Sequence, residues 1–412
     1  MKISIIIPTR ERGFYLASSI RTVLEIDDPA IELIVADNAS TDDTAQVVAG
    51  FTDARLVYLP SDRRVSMREN FNRALAASTG DYAIFIGDDD AVISGQFRFL
   101  RQLLETKRPD GVSWFKATYG WPIAGFGRKT GGLRFYRRHS YGPPQSYDPG
   151  RDLDALMACR LAAMVPTPNI YHGCVSRAYL DRIAPAPGLY FDSTIPDVNL
   201  QYRAILKGGD FLHCDHPFTI NGYGPASTGG AHAAPKPGSA SARVGADFVT
   251  ENRADPYDDL IDHALAVQLV FFSTLETLRQ RGGFRDPRPD YTAWYRYALA
   301  ATRMKPEEAP RINAILDRYA AQSGTRTELD RARRLPIPPK RRLGERLDRA
   351  RNQLASFRRS AEEAGENTVL TASHLCDAVL GADYGAVLAG RIGPAAAWRA
   401  ARRRARAFRR EL

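Results

Sequence analysis

Along the first hundred positions, apolar residues fall alternately into short unbroken runs and into a period of three to four. Ile3 to Ile7 is apolar except for Ser4, the pattern of a parallel strand buried on both faces. Pro8-Thr9 stops it. Tyr15 to Ile26 then carries Leu16, Ile20, Val23 and Leu24 at helical spacing. Ile31 to Ala36 repeats the strand pattern and runs into Asp37-Asn38-Ala39-Ser40-Thr41-Asp42, where Ser40 or Thr41 can cap a helix and Asp42 and Asp43 favour its first turn. Arg55 to Leu59 predicts a third strand, Met67 to Ala77 a helix, and Tyr82 to Ile86 a fourth strand. This alternation predicts an α/β fold, a mainly parallel sheet with helices on both faces, in which ligands collect beyond the carboxyl ends of the strands.

Beyond the Arg98–Leu104 helix the pattern loosens. Gly111 to Thr118 can form a strand, and about 119–150 is an insertion rich in Gly, Pro and aromatics. Leu153 to Met164 and Arg177 to Ile183 are expected as helices, with Thr167 to Val175 returning to the core. Pro196 opens a further helix that Gly208-Gly209 closes. Phe211 to Cys214 and Pro217 to Ile220 suggest two more strands. The Pro- and small-residue-rich stretch 231–254 is expected as a mobile loop, 255–334 as a helical region, and 335–412 as a basic helical extension behind the linker Leu335-Pro336-Ile337-Pro338-Pro339. No internal repeat is evident.

Charge sharpens the division. The net charge is +10, but Leu335 to Leu412 holds sixteen Lys and Arg against eight Asp and Glu, so most of the basicity belongs to the extension. There Trp398, Ala401, Ala405, Phe408 and Leu412 form an apolar stripe among arginines. Such a helix can lie on an anionic membrane, pack on the body, or pack on a second subunit. Nucleic acid is disfavoured, since no binding fold is recognisable. Four scattered cysteines show no metal spacing and read as free thiols. With neither a signal-peptide pattern nor an apolar run of membrane-spanning length, a cytoplasmic protein is expected, with the inner membrane face as a peripheral location.

The chemistry concentrates at three predicted strand ends: Thr9 to Arg12, Asp37 to Asp42, and Asp88-Asp89-Asp90. Three consecutive carboxylates repel one another, so water or a cation must neutralise them. A solvated acidic turn would explain one such cluster; three at matching strand ends point to a ligand site.

These residues resemble inverting glycosyltransferase family 2, whose catalytic domain is the nucleotide-sugar-binding, Rossmann-like GT-A fold. The resemblance covers about residues 1–230. It is carried by Ile-Ile-Ile-Pro-Thr-Arg-Glu-Arg, by Ala-Asp-Asn-Ala-Ser-Thr-Asp-Asp-Thr, by Arg64 to Leu75, by Gly80 to Val92 and by Pro196-Asp197. It implies an Asp-x-Asp element at Asp88 to Asp90, with Asp90 the favoured contact to Mn2+ or Mg2+, Asp88 on the ribose or a metal-bound water, and Asp89 an alternative ligand. His216 is ranked ahead of His213 and His232 to complete the metal shell. Pro8, Thr9, Glu11, Asp37, Asn38, Ser66 and Asn70 match positions facing the nucleotide-sugar, and Arg63, Arg64 and Arg68 could assist its diphosphate. Thr9 and Asn38 also read as plain turn residues, and Asn70 as an ordinary helix residue. Ser227 matches a loop closing over the diphosphate, although Gly224 stands where the family usually has serine.

Asp197 matches the catalytic base that takes the acceptor hydroxyl's proton, with Asp192 in reserve. The implied function is transfer from a nucleotide-sugar, a UDP-sugar by family default, to a hydroxyl acceptor in surface polysaccharide or glycoconjugate synthesis. A glycan, lipid-linked or protein acceptor fits equally, and a homo-oligomer is open. The competing readings are a non-catalytic nucleotide-sugar- or glycan-binding protein and a nucleotidyltransferase; the latter lacks a glycine-rich basic loop after the first strand.

Overall fold

The computed structural model describes residues 1–124, 130–161, 166–225, 240–255, 260–262, 264, 266–284, 286–336 and 352–408. Its first half alternates strands and helices as the periodicity predicts: β1 (Ile3–Thr9), α1 (Gly13–Leu24), β2 (Ile31–Asp37), α2 (Thr44–Ala49), β3 (Leu56–Pro60), α3 (Met67–Ala77), β4 (Tyr82–Phe85), the short β5 (Ala91–Val92) and α4 (Phe97–Lys107). Then follow β6 (Gly111–Trp114), β7 (Ala117–Gly120), β8 (Gly132–Tyr136), β9 (Gln145–Tyr147), α5 (Leu153–Met157), β10 (Gly173–Ser176), α6 (Arg177–Ile183), α7 (Pro196–Lys207), β11 (Phe211–Cys214) and β12 (Thr219–Tyr223). The remainder comprises α8 (Ala240–Ala254), α9 (Val267–Arg281), α10 (Tyr291–Met304), α11 (Ala309–Ser323), α12 (Arg326–Arg334), β13 (Ser356–Ser360), α13 (Val369–Leu380), α14 (Asp383–Leu388) and α15 (Pro394–Arg404).

The central sheet runs β3-β2-β1-β4-β10-β6-β11-β9. Its first four strands are parallel, and β10 enters antiparallel to both β4 and β6. β1 and β2 are buried almost throughout, as strands covered on both faces must be. Their register pairs Thr9 with Asp37 and thereby sets two polar strand ends side by side. This is the expected α/β class of fold with a helical region after it.

A second sheet, β13-β8-β7-β12-β5, gives order to the insertion. Strand β8 pairs with β7 on one edge and with β13 on the other, Phe135 opposite Phe357. The expected irregular insertion therefore contains a hairpin that the C-terminal region completes. A second expectation is also revised: within 231–254, Ala240–Ala254 is a helix rather than a mobile loop.

Helices α9 to α12 share a core with α5 and α7, where Phe272 stacks on Trp294 and meets Tyr295 and Tyr319 edge-on. The basic extension joins the other core. Val369, Leu375, Val379, Tyr384 and Trp398 are buried in the same cluster as α1 and α4, and Trp398 lies against Phe357. Of its apolar stripe, Trp398, Ala401 and Ala405 pack on the body, Phe408 is exposed and Leu412 lies outside the described residues; Arg399, Arg402, Arg403 and Arg406 face outward.

Candidate active site

The chain leaves β4 through Ile86-Gly87 and turns so that Asp88, Asp89 and Asp90 all point inward, each under 5% exposed. Burying three carboxylates demands partners, and each has them. Thr9 Oγ1, at the end of β1, donates to Asp88 Oδ2 at 2.8 Å. Arg12, between β1 and α1, donates from Nη1 to Asp88 Oδ1 at 2.6 Å and from Nη2 to Asp89 Oδ2 at 3.2 Å. Asp90 Oδ1 accepts the Gly222 N–H at 2.7 Å, and Oδ2 accepts the Gly87 N–H and the Tyr171 hydroxyl, both at 2.6 Å. His172 Nε2 stands 2.9 Å from the same oxygen, off hydrogen-bond alignment.

Gly222 has a steric reason to be glycine: a Cβ there would come within 1.6 Å of the Asp89 carbonyl oxygen. That carbonyl also accepts from Trp121 Nε1 at 2.9 Å, so the second sheet clasps the triplet.

Burial pushes the Asp89 carboxyl up to about 8 against the pull of Arg12, and raises Asp88 likewise. Asp90 goes the other way: burial would raise it, but His172 and the hydrogen bonds from Tyr171 and Gly87 outweigh that and lower it. The triplet is therefore not three naked charges. Arg12 and the hydrogen bonds from Thr9, Tyr171, Gly87 and Gly222 absorb the repulsion that the sequence alone leaves unexplained.

As they stand, these carboxylates do not fit a divalent cation. Asp90, expected as the direct ligand, spends both oxygens on protein donors, and Asp88 spends both on Thr9 and Arg12. His216, the third expected ligand, lies elsewhere: it is fully buried, stacked 3.6 Å from the Tyr384 ring, with Nδ1 accepting the Tyr141 N–H and Nε2 beside Gln96 Oε1. His213 contacts Ser113 and Asp215 instead. Among the described residues no group of three or more His, Cys, Asp or Glu side chains is arranged to hold a metal ion. A hard, oxygen-rich donor set is nevertheless what Asp88 and Asp89 would offer if Arg12 withdrew.

The remaining strand-end residues lie at the neighbouring strand ends, several committed to the protein itself. Asp37 accepts from Ser40 Oγ at 2.6 Å and Tyr58 Oη at 2.7 Å; Asn38 is clamped to the backbone of Val65 through both amide atoms. Asn70 donates to the Ala36 carbonyl at 3.1 Å. Glu11, in the left-handed region (φ 54°), accepts from Thr41 and Asp42 and pairs with Arg64. Ser66 caps α3, accepting from the Glu69 N–H at 3.1 Å. It also bonds Asp255, which pairs with Arg68, while Arg63 pairs with Glu69. A cavity of about 500 Å³ is lined by Arg63 to Ser66 and by Asp247 and Glu251 of α8 and Asp255 just after it. Ser227 and His232 lie outside the described residues.

Asp197 sits half-buried in the first turn of α7, after Pro196. Burial raises its carboxyl above the ordinary range, partly offset by the cation of Lys116. Lys116, between β6 and β7, also interacts with Asp90, and its Nζ lies 5.7 Å from the centre of the Tyr171 ring; burial lowers its own pKa. Lys116 thus links Asp90 to Asp197, and Tyr171 packs beside it on the triplet. No motif singled out either one: Lys116 falls in the stretch Gly111 to Thr118 and Tyr171 in Thr167 to Val175, read from the sequence only as a strand and a return to the core. Asp192, the reserve base, is instead held by Asn199 Nδ2 at 2.7 Å and by Arg203, a structural anchor inside α7.

The family model for "Glycosyl transferase family 2" matches residues 4–152. Among curated proteins, the GalNAc(5)-diNAcBac-PP-undecaprenol beta-1,3-glucosyltransferase of Campylobacter jejuni is 34% identical over 104 residues, 24% of this chain and 34% of that protein. Abequosyltransferase RfbV of Salmonella typhimurium is 28% identical over 112 residues, 26% of this chain and 34% of that protein. Each match spans about a third of the relative's length. The S. aureus TarS 1–349 structure superposes with TM-score 0.43 at 16% identity, covering 81% of this chain and 91% of that one. Residues 4–152, which contain all three strand-end clusters, belong to glycosyl transferase family 2.

Proposed function

We propose that the chain is an inverting glycosyltransferase moving a sugar from a nucleotide-sugar, a UDP-sugar by family default, to a hydroxyl acceptor. The observation that carries this reading is that one cation, Lys116, interacts with both Asp90 of the triplet and Asp197. A donor lying between them would have its nucleotide toward Thr9, Asp37 and Ser66 and its anomeric carbon toward Asp197. Asp197 takes the acceptor hydroxyl's proton, the oxygen attacks the anomeric carbon from the far side, and the bond to the diphosphate breaks. The nucleoside diphosphate departs carrying the bonding electrons, and the cations of Arg12 and Lys116 favour its charge. Mn2+ or Mg2+ enters this reading only as an ion for Asp88 and Asp89 once Arg12 withdraws.

The acceptor class we favour is lipid-linked, because one relative's name specifies an undecaprenol-linked acceptor. Surface polysaccharide or glycoconjugate synthesis at the inner membrane face is the matching setting. The test is a thermal-shift panel of UDP-, GDP-, dTDP- and CMP-sugars, with and without Mn2+, followed by assay of released nucleoside diphosphate. Stabilisation by one nucleotide series and its turnover support the reading; no stabilisation by any of the four removes it.

A further inference from the structure

Arg12 is held in place by features that do not depend on a ligand. Thr41 and Asp42 grip Glu11 on one side, and the Gly13 N–H donates to Asp42 Oδ2 at 3.1 Å on the other. The guanidinium is only 14% exposed, lies 5.2 Å from the centre of the Tyr15 ring, and forks onto two different carboxylates. A planar fork bridging two anions is the arrangement in which arginine competes best with a small cation, since each N–H meets a carboxylate oxygen directly. A divalent ion needs those same oxygens.

We propose that Arg12 is the resident counter-ion of the triplet: in the donor-free protein its guanidinium neutralises Asp88 and Asp89, and a divalent ion binds only where Arg12 has left. The geometry of the triplet alone carries this inference. What displaces Arg12 rests on the proposed function: a donor diphosphate presents anionic oxygens that match the same fork and would draw Arg12 away from Asp88 and Asp89.

The experiment measures Mn2+ alone, without nucleotide, by the loss of the free-ion EPR signal on adding protein. The wild-type chain is expected to bind weakly. Arg12→Gln is expected to bind about ten-fold tighter or more, the order of effect of removing a unit charge at this distance. Arg12→Lys, which keeps the charge, should stay close to wild type, and adding Asp88→Asn to Arg12→Gln should erase the gain. Micromolar binding by the wild-type chain overturns the proposal without reference to any variant, and so does an Arg12→Gln protein with a native unfolding transition and unchanged Mn2+ affinity. No sugar donor or turnover is involved, so failure of the glycosyl-transfer reading and failure of this inference are separable.

Discussion

Asp197 differs from an ordinary exposed aspartate in one respect that matters for a base: burial raises its pKa, and Lys116 only partly restores it. A base works when deprotonated, so a raised pKa means that turnover is low in acid and climbs as pH rises through the elevated value, later than for a solvent-exposed aspartate. Asp197→Asn should retain donor stabilisation in the thermal-shift assay while nucleoside diphosphate release falls about 10²–10⁴-fold, the usual contribution of a general base. An unchanged rate or an unchanged acid limb in the variant would assign the base elsewhere. Asp197 stands out in the sequence through the resemblance that places Pro196-Asp197 at the base's position; taken alone, an Asp after Pro in a helix's first turn also reads as plain dipole chemistry. Lys116 does not stand out: a single lysine between two short strands has no spacing to mark it, and its significance comes only from where the chain brings Asp90 and Asp197. Asp90 and His216 show the converse, residue types suited to metal whose lone pairs the fold commits to its own donors.

At the scale of elements, the periodicity of the first hundred residues located α1, α3 and strands β1 to β4, because strands buried on both faces write themselves as unbroken apolar runs. The insertion hid its strands, since β8 gains a partner from β13, some 220 residues later, and no local pattern encodes a pairing at that range. The helical region depends on another non-local device. Glu276 of α9 is fully buried and accepts from Tyr291 Oη of α10 at 3.0 Å, from Tyr319 of α11, and from Arg279 Nη1 at 3.2 Å. One carboxylate therefore ties three helices together. Glu276→Leu removes the charge against which Arg279 is buried and the acceptor of two tyrosines, and should cost about 3–5 kcal/mol. Glu276→Gln keeps an acceptor oxygen and should cost less. Denaturant unfolding would check the order: a leucine variant as stable as wild type would mean that packing alone holds α9 to α11.

For the whole molecule, the placement of the basic extension changes which experiments are informative. Many of its described apolar residues are core, with Val369, Val379 and Tyr384 fully buried, and Ser373 and Asp377 of α13 are bonded to the Val92 carbonyl and the Gly95 N–H. Deleting 335–412 would bare this face of the sheet and strip β8 of its outer partner. We expect the truncated chain to lose its cooperative thermal transition, so loss of membrane binding in such a deletion would report unfolding rather than contact. The exposed arginines allow a cleaner test. Arg399, Arg402, Arg403 and Arg406 project outward from α15 and the turn after it, and replacing all four with glutamine removes charge without touching the core. Stability should change by no more than about 1 kcal/mol in total, as for surface substitutions. If these arginines engage an anionic inner leaflet, each contributes about 1 kcal/mol. Co-sedimentation with phosphatidylserine vesicles should then fall by two orders of magnitude or more in the folded variant. Equal sedimentation of the two proteins would assign the extension to packing alone.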